Sequence, residues 1–168
     1  MLNAKLTLSK DPAAAFKSLT EGLNAGIKKA MEATAQQVAE DSAKAVIKKA
    51  SRAVDATIQH FDELHDTALE DALYQYLRSI DATITKMPDQ IQVKVGVEAL
   101  VTPSAWSLPW LLKLLEYGGV AFIGGRTVPV PPYPHWRPAL DMIRRNVKKY
   151  GKAAEAIVRK EILARLTK

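Results

Sequence analysis

The sequence predicts an α+β fold in which a long N-terminal helix or helices and a C-terminal helix pack on a small antiparallel β-sheet. Three observations carry that expectation. Apolar and small residues recur at helical spacing through most of the first 80 residues. Two short stretches alternate apolar with polar residues around Met87-Pro88-Asp89-Gln90. Gly118-Gly119 and Pro138 mark a helix end and a helix start on either side of a proline-rich passage.

The elements follow in order within a single domain, 1–168, whose 48% hydrophobic content is enough for one core. Residues 1–10 are an N-terminal tail, and residues 11–80 form a helical arm. Asp11 can accept from the orphan N–H groups of a first turn, and Pro12 suits the first helical position. Phe16, Leu19, Leu23, Ile27, Ala30, Thr34, Val38 and Ala45 continue the helical repeat, with Gly22 and Gly26 each costing about 1 kcal/mol relative to Ala unless packed. The repeat runs on through Val54, Ile58, Phe61, Leu69, Leu73 and Tyr76. Some fifty helical residues would span ~75 Å, so the arm either breaks near 50–55 or projects toward neighbouring subunits.

Residues 82–135 hold the small sheet, with strands at 82–86 and 91–97, a third at 120–123 and a fourth near 126–130. A short helix, 108–117, lies between the two pairs and is closed by Gly118-Gly119. Residues 127–134 contain four prolines, so this loop lies extended on an edge or surface. Pro138 then suits the first turn of the last helix, 137–168, with Gly151 as a kink candidate. Trp110 and Trp136 are assigned to the core.

Charge is unevenly placed. The chain carries +6, but residues 137–168 hold ten Lys/Arg against three Asp/Glu, so the basicity belongs to the last helix and the remainder is close to neutral. Asp55, Asp62, Glu63, Asp66, Glu70 and Asp71 fall in a stretch with no Lys or Arg. With no cysteine, disulfide scaffolds, thiolate metal sites and cysteine nucleophiles are excluded. The first residues lack a signal-peptide pattern, and the longest uncharged run, 99–112, is short and interrupted by two prolines, so the chain reads as soluble and unexported.

No catalytic signature, cofactor motif or metal site emerges. Gly124-Gly125-Arg126-Thr127 lacks the lysine and spacing of a phosphate loop and reads as a turn. His60 and His65 stand five residues apart, about 140° around a helix, which is poor zinc geometry, so with Asp62 and Asp66 they read as a solvated acidic face. Arg144, Arg145, Lys148, Lys149, Lys152, Arg159 and Lys160 could neutralise phosphates, but no stacking platform or reading helix accompanies them. A membrane surface is a poorer fit, since the apolar side of that helix has no bulky aromatic beyond Tyr150.

The pairing of Glu116-Tyr117-Gly118 with Pro134-His135-Trp136-Arg137-Pro138-Ala139-Leu140 resembles the tail-completion and head-to-tail connector proteins of tailed bacteriophages, the group that includes minor tail protein Z. The resemblance covers residues 106–145, with Trp136 where the family usually has Phe. It implies a non-enzymatic structural protein of the virion neck or tail, assembled in the host cytoplasm as a homo-oligomeric ring of six subunits. Its partners would be other neck proteins and the tail tube or tail terminator, with non-specific contact to DNA in the channel, no cofactor and no membrane. Val128, Pro131 and Tyr133 of the proline loop, and Asp62, Glu63, Asp66 and Glu70 of the acidic arm, are the interface candidates, and complementary acidic and basic faces would set subunit orientation. Arg144, Arg145, Lys148, Lys149 and Lys152 are the candidates for contact with DNA or a partner. The alternative is a small nucleic-acid-binding module using the basic C-terminal helix.

Overall fold

The computed structural model describes residues 12–61, 66–88, 90–97, 106–123 and 125–166. The fold is α+β, in the order α1 (Pro12–His60), α2 (Thr67–Arg78), β1 (Ile80–Lys86), β2 (Ile91–Val97), α3 (Leu108–Tyr117), β3 (Gly119–Ile123), β4 (Arg126–Val130), α4 (Trp136–Arg145) and α5 (Val147–Leu166). Helix α1 is continuous through residues 50–55. Ala50 and Val54 are fully buried there, so side-chain packing holds the helix where the sequence allowed a break, and the buried Thr57 hydroxyl is satisfied by the Ala53 carbonyl at 2.7 Å. Contacts divide the chain into two compact units, Met1–Gln36 with Val147–Lys168, and Gln37–Asn146.

In the first unit the N-terminal part of α1 runs antiparallel to α5. Lys29 pairs with Glu161 at 3.2 Å and Glu21 with Arg165 at 3.8 Å, both exposed and of small energetic weight. The two glycines that weaken α1 as an isolated helix are what permits this approach. A Cβ built on Gly26 would lie 3.2 Å from the Val158 Cα and 3.3 Å from the Glu161 Cβ, and one on Gly22 would lie 3.0 Å from the Arg165 Cδ. Helix α5 passes through Gly151 without interruption.

The second unit contains the larger core. Val46, Ala50 and Val54 of α1 join Leu73 and Tyr76 of α2, Leu111 and Leu115 of α3, Ala121 and Ile123 of β3, and Ala139 of α4. Asp66 caps α2, its carboxylate accepting from the Ala68 and Leu69 amides at 3.0 and 3.1 Å. Strands β1 and β2 pair antiparallel with Ile80 opposite Val97 and Ile84 opposite Val93, which places Ile80, Ala82, Ile84, Val93, Val95 and Val97 on one face and Thr83, Thr85, Gln92 and Lys94 on the wet one.

Three sequence expectations need correction. The four strands do not form one sheet: β1–β2 and β3–β4 are separate two-stranded ribbons. Pro129 in β4 has no N–H to offer a further strand, which keeps β4 an edge. The last helix is two helices. The chain breaks at Asn146, whose amide bonds the Ile143 carbonyl at 3.0 Å in a tightened turn, and not at Gly151. Trp110 is exposed, because α3 buries Leu108, Leu111, Leu114 and Leu115 and these spacings turn residue 110 outward.

Candidate functional site

The motif residues converge on the N-terminus of α4. A helix leaves its first four N–H groups without intrahelical partners, and in α4 these belong to His135, Trp136, Arg137 and residue 138. The Glu116 carboxylate accepts three of them, from His135 at 2.7 Å, Trp136 at 2.9 Å and Arg137 at 3.2 Å. The fourth position is Pro138, which has no N–H to satisfy. The first helical bond follows, from the Ala139 amide to the His135 carbonyl at 3.3 Å. One carboxylate and one proline thus complete the helix start.

Glu116 is 5% exposed, at the end of α3. Burial pushes its pKa up, but the three backbone amides, with His135 beside it, more than offset that and hold it below the ordinary carboxylate value. The turn after it depends on glycine. Gly118 has φ 72°, its amide closes α3 on the Leu114 carbonyl at 2.8 Å, and a Cβ there would meet the Val130 carbonyl oxygen at 2.9 Å. The Tyr133 amide donates to the Leu115 carbonyl at 2.7 Å, tying the proline loop back to α3.

A second set of bonds anchors the same corner to α2. The Trp136 indole, a donor only, gives its Nε1–H to the Tyr76 hydroxyl at 2.9 Å. The Tyr76 proton is therefore directed at His135 Nε2, 2.5 Å away, which must accept. His135 then carries its proton on Nδ1, which donates to the Tyr133 carbonyl at 2.9 Å and lies 3.4 Å from Glu116 Oε2. Burial lowers the His135 pKa against the opposing pull of the Tyr133 carbonyl and Glu116, in keeping with this neutral tautomer. Burial likewise raises the Tyr76 pKa, keeping the phenol protonated.

Tyrosine, histidine and glutamate stand here in a chain of hydrogen bonds, and the chain is buried. Tyr76 and His135 are 0% exposed, and every proton among the three is committed to a structural partner. Neither the hollow lined by Ile58, Phe61, Leu69 and Leu73 nor the groove on β1–β2 lined by Asp81, Thr83, Thr85 and Lys94 includes any of them. The cluster is a clamp that fixes α2, α3 and α4 to one another.

The other candidates scatter over the surface. Tyr117 is exposed with the Arg137 guanidinium 5.4 Å from its ring centroid, and Pro134 is exposed, whereas Pro138 is half-buried. Val128, Pro131 and Tyr133 are half-buried, while Thr127, Pro129, Pro132 and Pro134 of the same passage are exposed. Asp66 is engaged in capping, Glu70 is exposed on α2, and Asp62 and Glu63 lie outside the described residues. Arg144 and Arg145 are exposed in the last turn of α4, Arg144 beside Asp141 at 3.5 Å, and Lys148, Lys149 and Lys152 are exposed on α5. Among the described residues no group of acidic and histidine side chains could hold a metal, and no helix is long and apolar enough to cross a membrane. His65 lies outside them.

Sequence reasoning missed the hydrogen-bonded cluster around Glu116. His135 was within the motif but unassigned, and Tyr76 lies 59 residues away from it, where no local pattern reaches. No protein-family model, curated protein or solved structure matches this chain.

Proposed function

We propose that this chain is a non-enzymatic structural component of a tailed-phage virion, a tail-completion or neck protein that assembles as a homo-oligomeric ring between head and tail tube. The single observation in its favour is that Glu116, Gly118, Trp136, Arg137 and Pro138, residues that carry the resemblance, meet at one helix–helix corner built around the buried Glu116 carboxylate. That construction locks the α3–α4 connection and leaves charged helix faces free for docking. In this reading the ring assembles in the host cytoplasm, alone or together with other neck proteins and the tail tube, and no cofactor is needed. Light scattering on the purified protein across ionic strength, with particle images of any oligomer, tests it. A closed ring, alone or on adding tail or neck proteins, is the expected result, and a monomer indifferent to such partners rejects it.

A second reading has one observation behind it. Helix α5 carries exposed Lys148, Lys149, Lys152, Arg159 and Lys160, which suits a polyanion. A monomer that retains duplex DNA with a steep salt dependence would favour a small nucleic-acid-binding module instead.

A further inference from the structure

Helix α5 has two opposite sides. Val158, Glu161 and Arg165 face the N-terminal part of α1, as the close approach to Gly22 and Gly26 requires. At 100° per residue, Lys148, Lys149, Lys152, Arg159 and Lys160 fall on the far side, and all five are exposed. Arg159 is bonded to Glu155 at 2.7 Å, while the four lysines have no ion pair among the described residues. Four unneutralised lysines within 13 residues repel one another and the positive end of their own helix, so this face gains from meeting negative charge.

The same chain displays a complement on α2. That helix buries Leu69, Ala72, Leu73 and Tyr76, which turns Glu70, Asp71, Tyr74 and Arg78 outward, with Asp66 at the cap. Tyr74 is 41% exposed, an aromatic ring one turn beyond two carboxylates. A ring beside carboxylates is suited to a lysine, which can pair with the acid and lie over the π face. Helix α2 and the lysine run of α5 are both about 18 Å long at 1.5 Å per residue. Both faces are exposed.

We infer that the outward face of α2, centred on Glu70, Asp71 and Tyr74, docks on the lysine face of α5 of a second copy. This deepens the ring reading and rests on it. The contact joins two different surfaces, so it is heterologous, and its repetition closes a ring when the rotation permits. Duplex DNA would also satisfy the lysines, but it leaves the acidic face with Tyr74 unexplained.

The experiment uses two charge-reversed full-length proteins, Glu70→Lys with Asp71→Lys, and Lys148→Glu with Lys152→Glu. Circular dichroism confirms that each folds, and the neutral replacements Glu70→Gln with Asp71→Asn and Lys148→Gln with Lys152→Gln serve if either does not. Each reversed protein alone should lose the wild-type oligomer, because like charges then meet at every interface. Mixing them should restore it, since the basic α5 of one meets the acidic α2 of the other and the reversed faces also match. Tyr74→Ala should weaken assembly at least tenfold without changing its salt dependence. Wild-type mass in either reversed protein, or no reassociation on mixing, overturns the docking and leaves the ring reading standing. A wild type that is monomeric even with neck or tail proteins overturns both. Loss of DNA retention in the lysine variant with its oligomer intact assigns the α5 face to a polyanion and likewise overturns the docking.

Discussion

Removing the Glu116 carboxylate should unlock the α3–α4 corner by an amount the geometry sets. Glu116→Ala orphans the amides of His135, Trp136 and Arg137, of which the first is buried and the others partly so. A buried donor left unsatisfied costs about 1–3 kcal/mol. With part of that recovered by water at the Arg137 end, the expected loss is about 3–5 kcal/mol, or roughly 10 °C in Tm for a chain of this length. Glu116→Gln should cost less, about 1–2 kcal/mol. Its oxygen can occupy the Oε2 position, which receives the two shorter bonds, leaving its amide against the Arg137 N–H. The pH dependence has a definite sign. The folded pKa of Glu116 is depressed, so its contribution is fully present above the unfolded value of about 4.3 and is lost as pH falls through the folded value. The stability gap between wild type and Glu116→Gln should therefore narrow as pH falls below about 4. Urea titrations followed by tryptophan fluorescence at neutral and acid pH measure both quantities. A cost below about 1 kcal/mol for Glu116→Ala, or a gap that does not narrow in acid, would refute the capping role.

Four further outcomes are expected. Tyr76→Phe leaves the Trp136 indole N–H and His135 Nε2 without their partner and should cost about 1–3 kcal/mol in the same titrations. His135 should titrate below the ordinary imidazole value, and its neutral form should carry the proton on Nδ1, both read by nitrogen NMR. Its lowered pKa means the unfolded chain takes up a proton first, so its contribution is present above about pH 6.5 and declines as pH falls from there. Gly26→Ala should destabilise despite the better helix propensity of alanine, because its Cβ would press on the Val158 backbone at 3.2 Å. Gly151→Ala, with nothing within 4 Å, should stabilise by about 0.5–1 kcal/mol, and thermal unfolding of the pair separates packing from propensity.

How much of this could be read from the sequence follows from the reach of each interaction. The helices were legible because apolar spacing is a local signal, and α3 stops at Gly118 as its positive φ requires. The split at Asn146 was not, since a tightened turn needs neither glycine nor proline. Trp110 was misplaced because hydrophobicity argued for burial while the turn of α3 had already given that side to Leu111 and Leu115. The capping role of Glu116 escaped for a similar reason. Familiar capping patterns place the acid within three residues of the helix start, and here it comes from 20 residues upstream, at the end of the preceding helix.

That geometry changes what the motif can say about function. Glu116 and Pro138 are required by the four unpaired amide positions of α4, and Gly118 by a backbone that admits no side chain. The resemblance rests on this shared corner, and the corner orients whatever exposed faces the chain presents. The motif therefore speaks to construction, and specificity has to reside in the exposed faces that the construction orients. Charge reversal on α2 and α5 reaches that second level, and substitutions at Glu116 or Gly118 do not, because they would act on the proposed assembly only by way of folding.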